Sequence, residues 1–190
     1  RDRDSHAPWP PPRQVLSPVR FVTKHPVLSA MAMCSFVFSL VQVSLTSYMV
    51  SFLTGELHWT LAAAGGALAI TQAFGVGARI GWGLVSDRWL GPRRMLLGLA
   101  TAMAVCGLLM PLLSDAVPPL LVVALLCAYG AAGIGWNGVH LATIVRIAPG
   151  GKAATATAGT LFFSFFGVVV GPPLFGVAGD HFLLGTRLEP

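Results

Sequence analysis

Charge is what this sequence has least of. Asp, Glu, Lys and Arg make up 10% of its 190 residues, against roughly a quarter in a soluble domain, and the mean hydropathy is +0.75. That scarcity excludes an ordinary water-soluble domain, which needs more polar surface than this chain supplies. Acids are scarcer still: seven Asp and Glu against twelve Lys and Arg give a net charge of +5, and none of the long apolar runs contains an acid. Paired carboxylates at membrane depth are therefore excluded, and no His or Cys cluster and no Gly-x-Ser-x-Gly turn offers another catalytic centre. The chain reads as no enzyme, with no cofactor and no metal. Cys34, Cys106 and Cys127 lie in apolar runs without Cys-x-x-Cys spacing, so they read as buried small hydrophobes. The basic residues are scattered over separate segments without interleaved aromatics, which excludes nucleic acid as a partner. No cleavable signal peptide is visible, because the first 26 residues are polar and rich in Pro and Arg.

What is present is five apolar runs, at about 27 to 53, 61 to 85, 95 to 113, 119 to 145 and 154 to 178. Each is long enough as a helix to cross a hydrocarbon core of roughly 30 Å. The joining segments are short, so neighbouring helices run antiparallel. The fold class is all-α, a polytopic membrane helix bundle of five transmembrane helices whose partner is the lipid bilayer. Lys and Arg between the runs number five before the first, then none, three, none and two. By the positive-inside rule the N-terminus, the Asp87 segment and the Arg146–Lys152 segment are cytoplasmic, while Glu56 and Asp115 face outward. The tail 179–190 then lies outside, and an odd span count ending without a further run reads as truncation.

Residues 1–26 contain Ala7-Pro8-Trp9-Pro10-Pro11-Pro12-Arg13 and Ser17-Pro18, a composition that favours an extended cytoplasmic linker. The alternative for the Pro-rich run is a docking peptide. Small residues recur on helical faces, as in Gly65, Ala69, Gln72, Gly75 and Gly83, and in Gly159, Ser164, Gly167 and Gly171, which lets backbones approach closely. Gly171-Pro172-Pro173 predicts a helix kink, since proline removes backbone bonds.

The polar stretch Gly83-x-x-Ser86-Asp87-Arg88-x-x-Gly91-x-Arg93-Arg94 between two apolar runs resembles the loop signature of the major facilitator superfamily, usually written G-x-L-x-D-R-x-G-R-R. It has one extra residue before Gly91, and Pro92 where the pattern often has Arg. Gly159 with Gly167-x-x-x-Gly171-Pro172-x-x-x-Gly176 is similar to the family's Gly-Pro helix motif. Gly133-Ile134-Gly135-Trp136-Asn137-Gly138-Val139 is similar to the tenth span of bacterial members. The resemblance covers nearly the whole chain. It implies the seventh through eleventh helices of a twelve-helix secondary transporter of the bacterial cytoplasmic (inner) membrane, working by alternating access on a small polar or organic solute with an N-terminal half not present here. The runner-up reading is a non-transporting membrane scaffold or truncated remnant.

In the fourth run Tyr129, Gly133, Trp136, His140 and Thr143 share a helical face with Asn137 beside them, a candidate cavity wall. The alternative is packing with satisfied polar tips. Serines and threonines of the first run can bond their own carbonyls, whereas Gln42 is harder to satisfy locally. Gln42, Trp136, Asn137 and His140 are thus the candidate substrate-binding residues. Arg79 either snorkels to headgroups, contacts the signature segment or attracts an anion at the cavity's inner end. With no acid in the runs, proton coupling would need a carboxylate elsewhere or titration of His140. The resemblance also implies a conformational latch built on Gly83, Asp87, Arg88, Gly91, Arg93 and Arg94. Arg146 is its candidate partner, with Arg88, Arg93 and Arg94 anchoring to the inner leaflet.

Overall fold

The computed structural model describes residues 16–187, with side chains through Val177. Six helices follow in order: α1 (Ser17–Lys24), α2 (Pro26–Gly55), α3 (Leu61–Val85), α4 (Gly91–Leu109), α5 (Pro119–Ile147) and α6 (Ala153–Arg187). No strand occurs among the described residues. Helix starts carry ordinary punctuation. Proline occupies the first turn of α1, α2, α4 and α5, where its missing N–H breaks no helical bond, and Thr60 Oγ1 caps α3 by accepting from Ala63 N–H at 3.2 Å.

Four runs among the described residues are long and apolar enough to cross a membrane: Pro26–Gly55, Leu61–Leu112, Pro119–Ile147 and Ala153–Val177. The second is two spans. A straight helix of 52 residues would separate its ends by roughly 75 Å, yet Ala64 and Ala67 from its start share one apolar cluster with Met110 and Leu113 from its far end. The chain reverses at a single π-helical turn, Ser86–Leu90, closed by Gly91 at φ 72°, a left-handed conformation that favours glycine. The polar stretch is therefore a tight turn rather than an extended loop.

The first 15 residues of the expected linker lie outside the described residues. The rest is not extended: Ser17–Lys24 is helical because Val22, fully buried, joins Leu28, Ala32, Ile144 and Ala156 in a cluster at the Asp87 end of the bundle. Backbone helix also continues to Arg187, so α6 runs on through 179–187. The central cluster joins Phe38 of α2, Met95, Leu99 and Met103 of α4, and Tyr129, Trp136 and Val139 of α5.

Candidate functional site

Helices α3 and α5 run parallel, and glycine sets their separation. A Cβ on Gly130 would lie 2.5 Å from the Thr71 carbonyl oxygen, one on Gly75 2.6 Å from Ile134 Cβ, and one on Gly138 2.7 Å from the Arg79 carbonyl oxygen. Only a hydrogen at these positions allows the backbones to touch. Trp82 of α3 crosses the same seam, donating from Nε1 to the Ala131 carbonyl at 2.7 Å. Thr71–Gly130, Gly75–Ile134 and Arg79–Gly138 have one constant sequence offset, and continuing it about two turns further brings Asp87 level with Arg146. There Arg146 Nη2 and Asp87 Oδ1 are 3.0 Å apart, with the side chains 56% and 46% exposed.

Of the other signature residues, Ser86 is buried and its carbonyl accepts from Gly91 N–H, which closes the turn. Arg88, Arg93 and Arg94 are exposed and make no ion pair among the described residues. Gly83 meets nothing within 4 Å of a built Cβ, so no close backbone approach depends on it here.

The four candidate substrate-binding residues separate into two groups. Trp136 is fully buried and donates from Nε1 to Gln42 Oε1 at 3.0 Å. His140, 2% exposed, places Nε2 3.0 Å from the Met31 carbonyl, edge-on to Trp136 at 5.2 Å between ring centroids. Tyr129 O–H donates to the Val41 carbonyl at 3.2 Å. In the structure Tyr129, Trp136 and His140 of the face expected as a cavity wall each find a partner on α2, while Thr143 Oγ1 bonds the Val139 carbonyl of its own helix at 2.6 Å. Gln42 and Asn137 keep half-exposed surface, and Asn137 Nδ2 makes only a long contact of 3.4 Å to the Ile134 carbonyl. Two cavities of about 1010 and 600 Å³ follow an apolar groove between α2 and α4, and none of the four residues lines either of these.

The α2–α6 seam repeats the glycine device. Gly167 sits against the Phe36 carbonyl, and a Cβ on Gly171 would lie 2.7 Å from the Leu40 carbonyl oxygen. Helix α6 passes through Pro172 and Pro173 without interruption, and Tyr48 O–H donates to the Pro172 carbonyl at 3.1 Å. The serines and threonines of α2 mostly bond locally, as Ser44 Oγ to the Leu40 carbonyl at 2.8 Å and Thr46 Oγ1 to the Gln42 carbonyl at 3.0 Å. The role of Trp82 as a cross-helix donor was not assigned from sequence, while for Tyr129 packing with a satisfied polar tip was the alternative to a cavity wall. The only signal in each case was a polar-tipped aromatic inside an apolar run.

An all-helical bundle with glycine-packed spans and a charged turn between two of them defines a polytopic membrane protein. The family model described as the Major Facilitator Superfamily matches residues 1–172, and the chain belongs to that family, whose members are transporters rather than enzymes. No curated protein and no solved structure matches.

Proposed function

We propose that the chain takes part in secondary active transport of a small polar or organic solute by alternating access, as the C-terminal portion of a twelve-helix transporter, with the Asp87 end cytoplasmic. The observation that carries the mechanistic part is the Asp87–Arg146 ion pair at 3.0 Å. It closes the end of a helix pair whose glycine contacts fix the register, so forming or breaking it reports on small rigid-body shifts of α3 against α5. In this reading Asp87 and Arg146 are the latch, Ser86 and Gly91 shape the turn that presents Asp87, and Arg88, Arg93 and Arg94 face anionic headgroups. Gln42 and Asn137, which retain exposed polar atoms, are the ligand candidates of the set, while Trp136 and His140 act through the packing that holds Gln42 and α2 in place. Gly171, Pro172 and Pro173, which leave backbone carbonyls of α6 without their helical donors, are the positions at which α6 would bend during the cycle.

The test is transport turnover in the protein expressed from its full coding sequence and reconstituted in liposomes. Asp87→Asn and Arg146→Gln each lower turnover without changing expression or membrane insertion, and the reversed pair Asp87→Arg with Arg146→Asp recovers part of it. Wild-type turnover in both single variants would remove the latch role.

A further inference from the structure

We infer that Tyr48 is a positioning residue of the transport cycle: its hydroxyl holds the arm of α6 beyond Pro172 against α2, and loss of that bond lets the arm bend at Gly171–Pro173. The inference rests on the transport reading above and gives it a second control point, remote from Asp87 and Arg146.

Helices α2 and α6 run parallel, and the character of their seam changes at the prolines. On the Asp87 side of them the contact is backbone on backbone: Gly167 packs on the Phe36 carbonyl and Gly171 on the Leu40 carbonyl, at one constant sequence offset. Backbone has no rotamer to change, so this part of the seam moves as one body. On the Glu56 side Tyr48 takes over. Its hydroxyl donates to the Pro172 carbonyl at 3.1 Å, its ring packs on Phe175 with centroids 5.2 Å apart, and a Cβ on Gly176 would lie 2.7 Å from the hydroxyl oxygen. Glycine at 176 therefore leaves the space that the phenol occupies.

The two prolines sit where the seam changes. Neither carries an N–H, so the carbonyls of Val168 and Val169, four residues earlier, have no helical donor. The turn that joins the two parts of α6 is weakened at that point, the ordinary place for a helix to bend. A hydroxyl–carbonyl bond can break and re-form without moving the backbone of α2, which the glycine contacts cannot do. Tyr48 and Phe175 also line the larger cavity, so the phenol has space to swing into when it leaves the carbonyl. A rigid seam, a weakened turn and one breakable bond beyond it make a hinge with a catch.

The test uses the protein expressed from its full coding sequence in a background without other cysteines, with nitroxide spin labels on paired cysteines at exposed positions. Ser51→Cys with Val177→Cys reports on the arm, and Val37→Cys with Phe165→Cys on the glycine seam. Tyr48→Phe keeps the ring and loses the hydroxyl, whereas Gly176→Ala keeps the tyrosine and fills its seat. Each raises the long-distance population of the arm pair about 3-fold, the equilibrium shift equivalent to an average cross-helix bond in a membrane, and leaves the seam pair unchanged. Adding Pro172→Ala and Pro173→Ala restores the short distance. The inference is overturned by an arm distance that neither variant alters, by an equal change in both pairs, which means general loosening, or by a long distance that persists without the prolines. Uptake of labelled amino acids, sugars and organic acids into liposomes is scored separately, and whichever is taken up enters more slowly in both variants. Wild-type uptake beside an altered arm removes Tyr48 from the cycle, whereas no uptake by the unmutated protein beside an altered arm counts against the transport reading and leaves the hinge standing.

Discussion

Asp87 Oδ1 lies 3.0 Å from Arg146 Nη2, and the two residues have the same sequence offset as Thr71–Gly130 and Arg79–Gly138 higher on the same helices. The ion pair is thus the last step of a parallel helix register that begins with glycine against backbone.

Because both side chains are about half exposed, the pair contributes about 0.2–1 kcal/mol, which is roughly a 1.4- to 5-fold bias on a two-state equilibrium. A double-mutant cycle of Asp87→Asn and Arg146→Gln on turnover should return a coupling in that range, and it should shrink in high salt. Additive effects would separate the two residues functionally.

Gly130→Ala should destabilise the bundle by about 1–3 kcal/mol, since the new methyl meets the rigid Thr71 carbonyl rather than a movable side chain. Gly98→Ala is the control: nothing lies within 4 Å of its Cβ position, so its stability should stay within about 0.5 kcal/mol of wild type. Thermal unfolding in detergent reads both, and equal losses would mean that the α3–α5 seam tolerates separation.

Trp136→Phe removes the donor to Gln42 Oε1 while keeping the ring contact with Phe38 at 4.9 Å between centroids. Cross-helix hydrogen bonds in membranes average about 0.6 kcal/mol, so Trp136→Phe and Gln42→Met should each lower stability by about that amount and be less than additive together. His140→Leu, which takes a partner from the Met31 carbonyl, should show a loss of stability with turnover changed only in proportion. Asn137→Leu should instead change solute affinity with stability intact. A purely structural phenotype for Asn137→Leu would return that position to packing.

Single cysteines in a background lacking Cys34, Cys106 and Cys127 test the orientation. Positions 56 and 115 should react with an impermeant maleimide in intact cells, and positions 88 and 152 only after permeabilisation. Labelling of 152 in intact cells would invert the proposed topology.

The five spans were legible in the sequence because spanning a bilayer is a local demand: enough consecutive apolar residues, ended by proline, threonine caps or charge. The all-helical bundle followed from those runs alone, and the small residues at 75, 167 and 171 already marked surfaces of close approach. Other features depended on which helix lies opposite. Ser17–Lys24 became a helix because α6 and α2 offer Val22 a buried seat, a contact the proline-rich composition around it could not announce. Trp136 and His140 looked like a cavity wall by periodicity, but a polar tip inside a membrane protein is satisfied equally by solute or by a neighbouring helix, and the carbonyl of Met31 and the amide of Gln42 lie far away along the chain. The tertiary structure alone brought those partners together, and it alone aligned α3 with α5 so that a glycine at 130 and a charge at 146 belong to one register.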